Sequence, residues 1–306
     1  MQSKLIAHVS IVLALVVSAM AGRAAAQNAL IPDVGSTTTA SPTHADRSIA
    51  YHNGPVLTGT KNVYFVWYGD WSARAYEQIV LADFVSGLGS SPYFQINTSY
   101  PDGNGQAPNG ALNYGGGGLD AYSHSATLTE ADVADVIANQ FRTGGMVFDP
   151  RGIYVVLTSP DITLEDGATH FCQTCCNLHG DSSYAGSSFT YVFVGHPERC
   201  PAGCATQFPN RISPNGDYAV DAMASWLAHA LNAVVTNPTD SGWYDRYGLE
   251  NSEKCEGTYG TTYTVPVVPY GNDLAEANIK LGSRHYLLQQ NWVNGKKGHC
   301  SMSISQ

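Results

Sequence analysis

Apolar positions along this chain fall into blocks of two different periods. Val63-Tyr64-Phe65-Val66-Trp67-Tyr68 is a continuous β-branched and aromatic run, the pattern of a strand covered on both faces. The segment from Tyr76 to Leu88 then sets Ile79, Phe84 and Leu88 on one side of a helix, giving a first β-α unit. Tyr93 to Ser99 alternates and predicts an edge strand. Residues 101–118 (PDGNGQAPNGALNYGGGG) are so dense in Gly, Pro and Asn that an extended loop is expected. Thr129 has the chemistry of an N-cap for a second helix, with Val133, Val136, Ile137 and Phe141 inward. Ile153 to Thr158 and Phe189 to Gly195 read as further buried strands, and the cysteine-rich stretch between them as irregular. Gly257 to Asn272 has hairpin chemistry, and Tyr286 to Val293 predicts a last strand. This order predicts a single α/β domain: a mixed sheet with helices packed on it and a disulfide-stapled, loop-rich region.

The most persuasive helix runs from Asp217 to Pro238. Ala219, Met223, Trp226, Leu227, Ala230, Leu231 and Val234 recur at three-and-four spacing, which predicts one buried face. Pro238 stops it, because proline donates no backbone hydrogen bond and biases Asn237 out of helical geometry. His229 sits mid-helix, where a metalloprotease carries HExxH, but the letters here are H-A-L-N-A. Catalytic zinc wants three protein ligands, a water and a carboxylate to take that water's proton. His229 could ligate, and Glu250 could join it if the following loop folds back. Alanine at 230 and 233 can neither bind nor accept a proton. A hydrogen-bonded structural His229 with no metal is therefore the expectation, and a zinc site around His229 and Glu250 the alternative.

Other constellations are weaker. GGGGL lacks the preceding strand and following Lys-Ser/Thr of a phosphate cradle. Ser225 lies one turn before His229 without a G-x-S-x-G elbow. Asp217, Asp221, Asp240 and Asp245 cluster in sequence around the helix, where capping explains Asp217 and Asp221 better than glycoside hydrolysis does. Trp71 and Trp243 fall at element ends, where they could stack on sugars; Trp67 reads as core.

The first 26 residues pair a basic start with an apolar run and end in Ala24-Ala25-Ala26, the pattern of a cleaved signal peptide, leaving about 280 residues. Residues 27–50 read as a flexible lead-in and 51–306 as the domain. All seven cysteines follow residue 170, which in an oxidising compartment allows three disulfides and one odd thiol. Their clustering favours bridges within the 172–204 group and a separate Cys255–Cys300 bridge. Asn97-Thr98-Ser99 is the sole glycosylation sequon and predicts a surface Asn97. A net charge of −10 argues against nucleic acid and acidic lipid as partners, and no segment after the leader is long and apolar enough to enter a membrane.

Several blocks resemble the plant EXORDIUM (phosphate-induced) protein family in order and spacing. They are YHNGPVLTGTKNVYFVWYGDWS, FCQTCCNLHG, YVFVGHPERCPAGCATQFP, PNGDYAVDAMASWLAHALNAVVTNPTDSGWY, GLENSEKCEGTYG and the close from RHYLLQQNWV to Cys300. The resemblance covers about residues 50–302. It implies a secreted apoplast or cell-wall protein that promotes growth and cell expansion without established catalysis, in contact with wall polysaccharide or a cell-surface receptor. It also puts Cys172, Cys176, Cys200, Cys204, Cys255 and Cys300 on the family's cysteine positions, with Cys175 extra. More distantly, the helix and its exit are similar to a zinc-hydrolase pattern, H-E-x-x-E-x-x-T-D-P then G-W and G-x-E. His229, Thr236, Pro238, Gly242, Trp243 and Glu250 fit it, whereas Ala230, Ala233 and Asn237 depart from it. If that similarity extends to the fold, the architecture is zincin-like.

Overall fold

The computed structural model describes residues 27–28, 48–269, 271 and 273–304. The expected signal peptide and most of the expected lead-in lie outside them. The central run of apolar residues is strand β1 (Lys61–Tyr68), followed by α1 (Ala75–Leu88), β2 (Leu112–Asp120), α2 (Glu130–Thr143), β3 (Gly152–Thr158), the hairpin β4 (Asn177–Tyr184) and β5 (Ser187–Val194), and α3 (Tyr218–Thr236). In space the strands run β2-β1-β3-β5-β4, with Gln27–Asn28 pairing against β4 at the far edge. The first four are mutually parallel and β4 is antiparallel. Mixed α/β architecture thus follows from the β-α-β order, because parallel neighbours need a crossover and only the tight hairpin can reverse direction. α1 and α3 pack together on one face, and α2 covers the other.

Capping and burial explain the helices. Thr129 and Asp132 form a reciprocal capping box on α2, and a left-handed Gly144 ends it. In α1, Phe84 and Leu88 are buried as expected, but Ile79 is 53% exposed. α3 departs most from its pattern. Every residue from Ala219 to Thr236 is buried, not one face alone. Its small residues let β4, β5, α1 and the C-terminal hairpins close around it on all sides.

Four expected elements differ. The cysteine-rich stretch expected to be irregular carries strand β4, paired along its whole length with β5. Phe94–Ser99 is a 3-10 helix, not an edge strand. The glycine tract, expected as loop, lies within β2 and pairs with β1 through an irregularity at Val63/Tyr64. A Cβ at Gly115 would lie 2.5 Å from the Tyr64 ring and one at Gly117 2.6 Å from the Phe65 carbonyl, so glycine is what lets this strand dock. Tyr286–Val293 splits between two short hairpins, Ile279–Leu281 with Arg284–Tyr286 and Asn291–Val293 with His299–Ser301. The expected hairpin near Gly257 exists as Tyr263–Pro266 paired with Leu274–Ala277. Among the described residues no helix is long and apolar enough to cross a membrane.

Candidate functional site

Asp217 caps α3 by accepting from the backbone N–H groups of Ala219 and Val220. Asp221 lies one turn on, buried, and accepts from both the backbone and side-chain nitrogens of Asn215. Both acids therefore serve the helix start. His229 is 3% exposed, its Nδ1 has no hydrogen-bond partner, and its ring centroid is 5.6 Å from that of Trp226. Burial drops its pKa to about 3, with Gln289 as its hydrogen-bonding neighbour, so the imidazole is neutral. Ala230 and Ala233 are packed in the core.

The next turn carries a polar network that the sequence did not suggest. Asn232 donates to the Tyr93 hydroxyl at 2.9 Å and accepts from Asn97 Nδ2 at 2.7 Å. Asn97 also donates to the Phe94 carbonyl and accepts from Asn251 at 3.0 Å. It is wholly buried, which corrects the expectation of a surface sequon: the nitrogen a glycan would need is committed inside the fold.

At the helix exit, Asn237 donates to Glu250 Oε1 at 2.6 Å and accepts from the Gly242 N–H at 2.6 Å. A Cβ on Gly242 would sit 2.5 Å from the Thr236 carbonyl, which accounts for the glycine before Trp243. Trp243 donates to the Pro101 carbonyl and packs against Tyr51 and Tyr100, while Tyr244 stacks on His52 at 3.6 Å. Trp71, by contrast, is buried beside Trp67.

The loop does fold back, but Glu250 meets a different histidine. Its Oε2 lies 3.0 Å from Nε2 of His179, which β4 delivers from its place between β5 and Gln27–Asn28. Burial alone would lower the His179 pKa; the Glu250 carboxylate outweighs that and holds it above its ordinary value. Asp240 completes a group whose ligand atoms all lie within 4.8 Å of one another. Burial pushes Asp240 up to about 7 against the pull of His179, with Glu250 and Asp181 adding to the rise. His179 stands 71 residues from Glu250, so no local spacing could announce it. Close by, Lys254 and Asp245 form a buried ion pair at 2.7 Å, and the Lys254 ammonium lies over the Trp292 ring.

The cysteines pair as Cys172–Cys200, Cys176–Cys204 and Cys255–Cys300. Cys175 is free and buried, and desolvation pushes its thiol up to about 12.

Fold and site define a disulfide-stapled α/β protein whose central helix holds alanine where a zinc-hydrolase helix holds acids. The chain belongs to the family described as the Phosphate-induced protein 1 conserved region, whose model matches residues 49–302. It is 32% identical to Protein EXORDIUM-like 3 of Arabidopsis thaliana, over 80% of this chain and 80% of that one. Protein EXORDIUM-like 5 of the same plant is 32% identical over 70% of this chain, and the match spans 65% of that relative's length. Protein PHOSPHATE-INDUCED 1 of Nicotiana tabacum is 29% identical over 69% of this chain and 72% of its own. No solved structure matches.

Proposed function

We propose that this protein is secreted and acts outside the cell, in the apoplast or wall, as a non-catalytic EXORDIUM-like factor that promotes growth and cell expansion. The observation that carries this reading is the enclosed helix. His229 is sealed in the core as a neutral imidazole, Ala230 occupies the position of a general base, and Glu250 is engaged by His179 and Asn237. Three disulfides support an oxidising destination. The half-exposed Tyr51, Trp243 and Tyr244, with His52, offer flat faces of the kind that stack on sugars, which supports wall polysaccharide as a partner beside a cell-surface receptor. A zincin-like layout belongs to the proposal as a scaffold, supported by a histidine-bearing helix packed against the antiparallel edge of the sheet. The alternative, an extracellular zinc hydrolase centred on His229, lacks the proton acceptor that such chemistry requires.

The experiment is expression with the native leader in plant cells, followed by application of protein purified from the medium to growing seedlings. The expected result is recovery from the medium and longer cells, with folded His229→Gln equally active. Retention inside the cell would overturn the extracellular reading, and folded but inactive His229→Gln would overturn the non-catalytic one.

A further inference from the structure

Three side chains from separate parts of the chain converge beside the exit of α3. His179 comes from β4, Asp240 from the turn after Pro238, and Glu250 from the loop that returns to the helix. Asp240 adopts a left-handed backbone, φ 54°, a conformation that Asp tolerates better than most residues. His179 and Glu250 are each 1% exposed. Two polar atoms of the group, His179 Nδ1 and Asp240 Oδ1, are buried with no hydrogen-bond partner. Native interiors rarely leave such atoms orphaned unless something outside the polypeptide satisfies them. The group also carries two carboxylates against one imidazole.

We propose that His179, Asp240 and Glu250 hold a divalent transition-metal cation of the zinc class in a non-catalytic site. The donor set fits: one imidazole nitrogen with two carboxylates suits zinc or manganese, whereas calcium and magnesium favour all-oxygen shells. So does the spacing. Ligands at about 2.1 Å from a tetrahedral ion lie roughly 3.4 Å apart. The donors here are within 4.8 Å of one another, so small side-chain rotations suffice. Asn237 supplies the outer support that metal-binding carboxylates need, fixing Glu250 through Oε1 and itself held by the Gly242 N–H. Asp240 is only half-buried, and its neighbours Pro238 and Thr239 line a cavity of about 300 Å3 with Asp181 on its wall. The ion would tie β4 to the helix exit.

The test uses the mature protein, dialysed against EDTA and then titrated with Zn2+, Mn2+, Ca2+ and Mg2+ by calorimetry, with metal content read by mass spectrometry. One equivalent of zinc is expected, with a raised melting temperature and weak or absent binding of calcium and magnesium. Cobalt substitution should give a visible absorption band of a low-coordinate nitrogen–oxygen site. Asp240→Asn, on a half-exposed turn, keeps the fold and should weaken zinc at least tenfold; Glu250→Gln should do the same. Wild-type protein that takes up no zinc overturns the proposal. So does zinc binding that survives unchanged in folded Asp240→Asn and Glu250→Gln, because the ion would then sit elsewhere. Growth activity is read separately, so loss of the metal site and loss of the extracellular role can be told apart.

Discussion

Replacing Asn97 by alanine tests the interior polar network directly. The side chain makes three hydrogen bonds of 3.1 Å or shorter, donating to Asn232 Oδ1 and the Phe94 carbonyl and accepting from Asn251. All of this happens at zero exposure. Truncation removes three bonds worth about 1 kcal/mol each and strands Asn232 Oδ1 without a donor, so the expected loss is about 3–4 kcal/mol. For a chain of this size that corresponds to a melting temperature roughly 6 °C lower. Urea unfolding of the oxidised protein, followed by tryptophan fluorescence, measures the first number, and calorimetry the second. Intact-mass analysis of protein secreted from plant cells supplies an independent check, with no glycan expected at Asn97. A loss below about 1 kcal/mol, or a glycosylated Asn97 in folded protein, would refute the reasoning.

Three further outcomes follow. His229 is neutral in the fold down to about pH 3, whereas in the unfolded chain it takes a proton near pH 6.5. The unfolded state therefore binds more protons between those values, and stability falls as pH drops through that window by at most about 4–5 kcal/mol. Folded His229→Gln should lack that share of the acid loss, seen in denaturant midpoints from pH 7 to 4. Cys175 should ignore a thiol reagent at pH 8 in native protein and give a single thiol equivalent after unfolding. Removing the Cys255–Cys300 bridge by a double alanine substitution opens a loop of sequence separation 45 and should cost about 4 kcal/mol by urea unfolding, on the chain-entropy account.

The strands and helices with strong periodicity were legible: Val63 to Tyr68, the Thr129 cap and the Asp217 cap each carry a local signal that the fold obeys. The glycine tract was not, because residues 115–118 are in β2 through the space that their missing side chains leave for Tyr64 and Phe65. Asn97 misled for a similar reason. A sequon is read locally, but its burial is decided by Asn232, Asn251 and Tyr93, which lie far away in the chain or around the bend of the 3-10 segment. At the site, His229 and Glu250 were visible as chemistry, yet the sequence paired them with each other. Tertiary structure gives Glu250 to His179, which lies 71 residues away with no local spacing to tie the two together.

The two bridges Cys172–Cys200 and Cys176–Cys204 have the same sequence separation, 28, and both straddle the β4–β5 hairpin. The hairpin turn at Ala185-Gly186 is exposed and has left-handed backbone at both residues. A protease that cuts there severs an exposed bond between β4 and β5 and releases nothing. The severed strands stay tied at their far ends by two covalent rungs, so the nicked molecule migrates as one chain until a reductant is added. This hairpin is built to survive being cut.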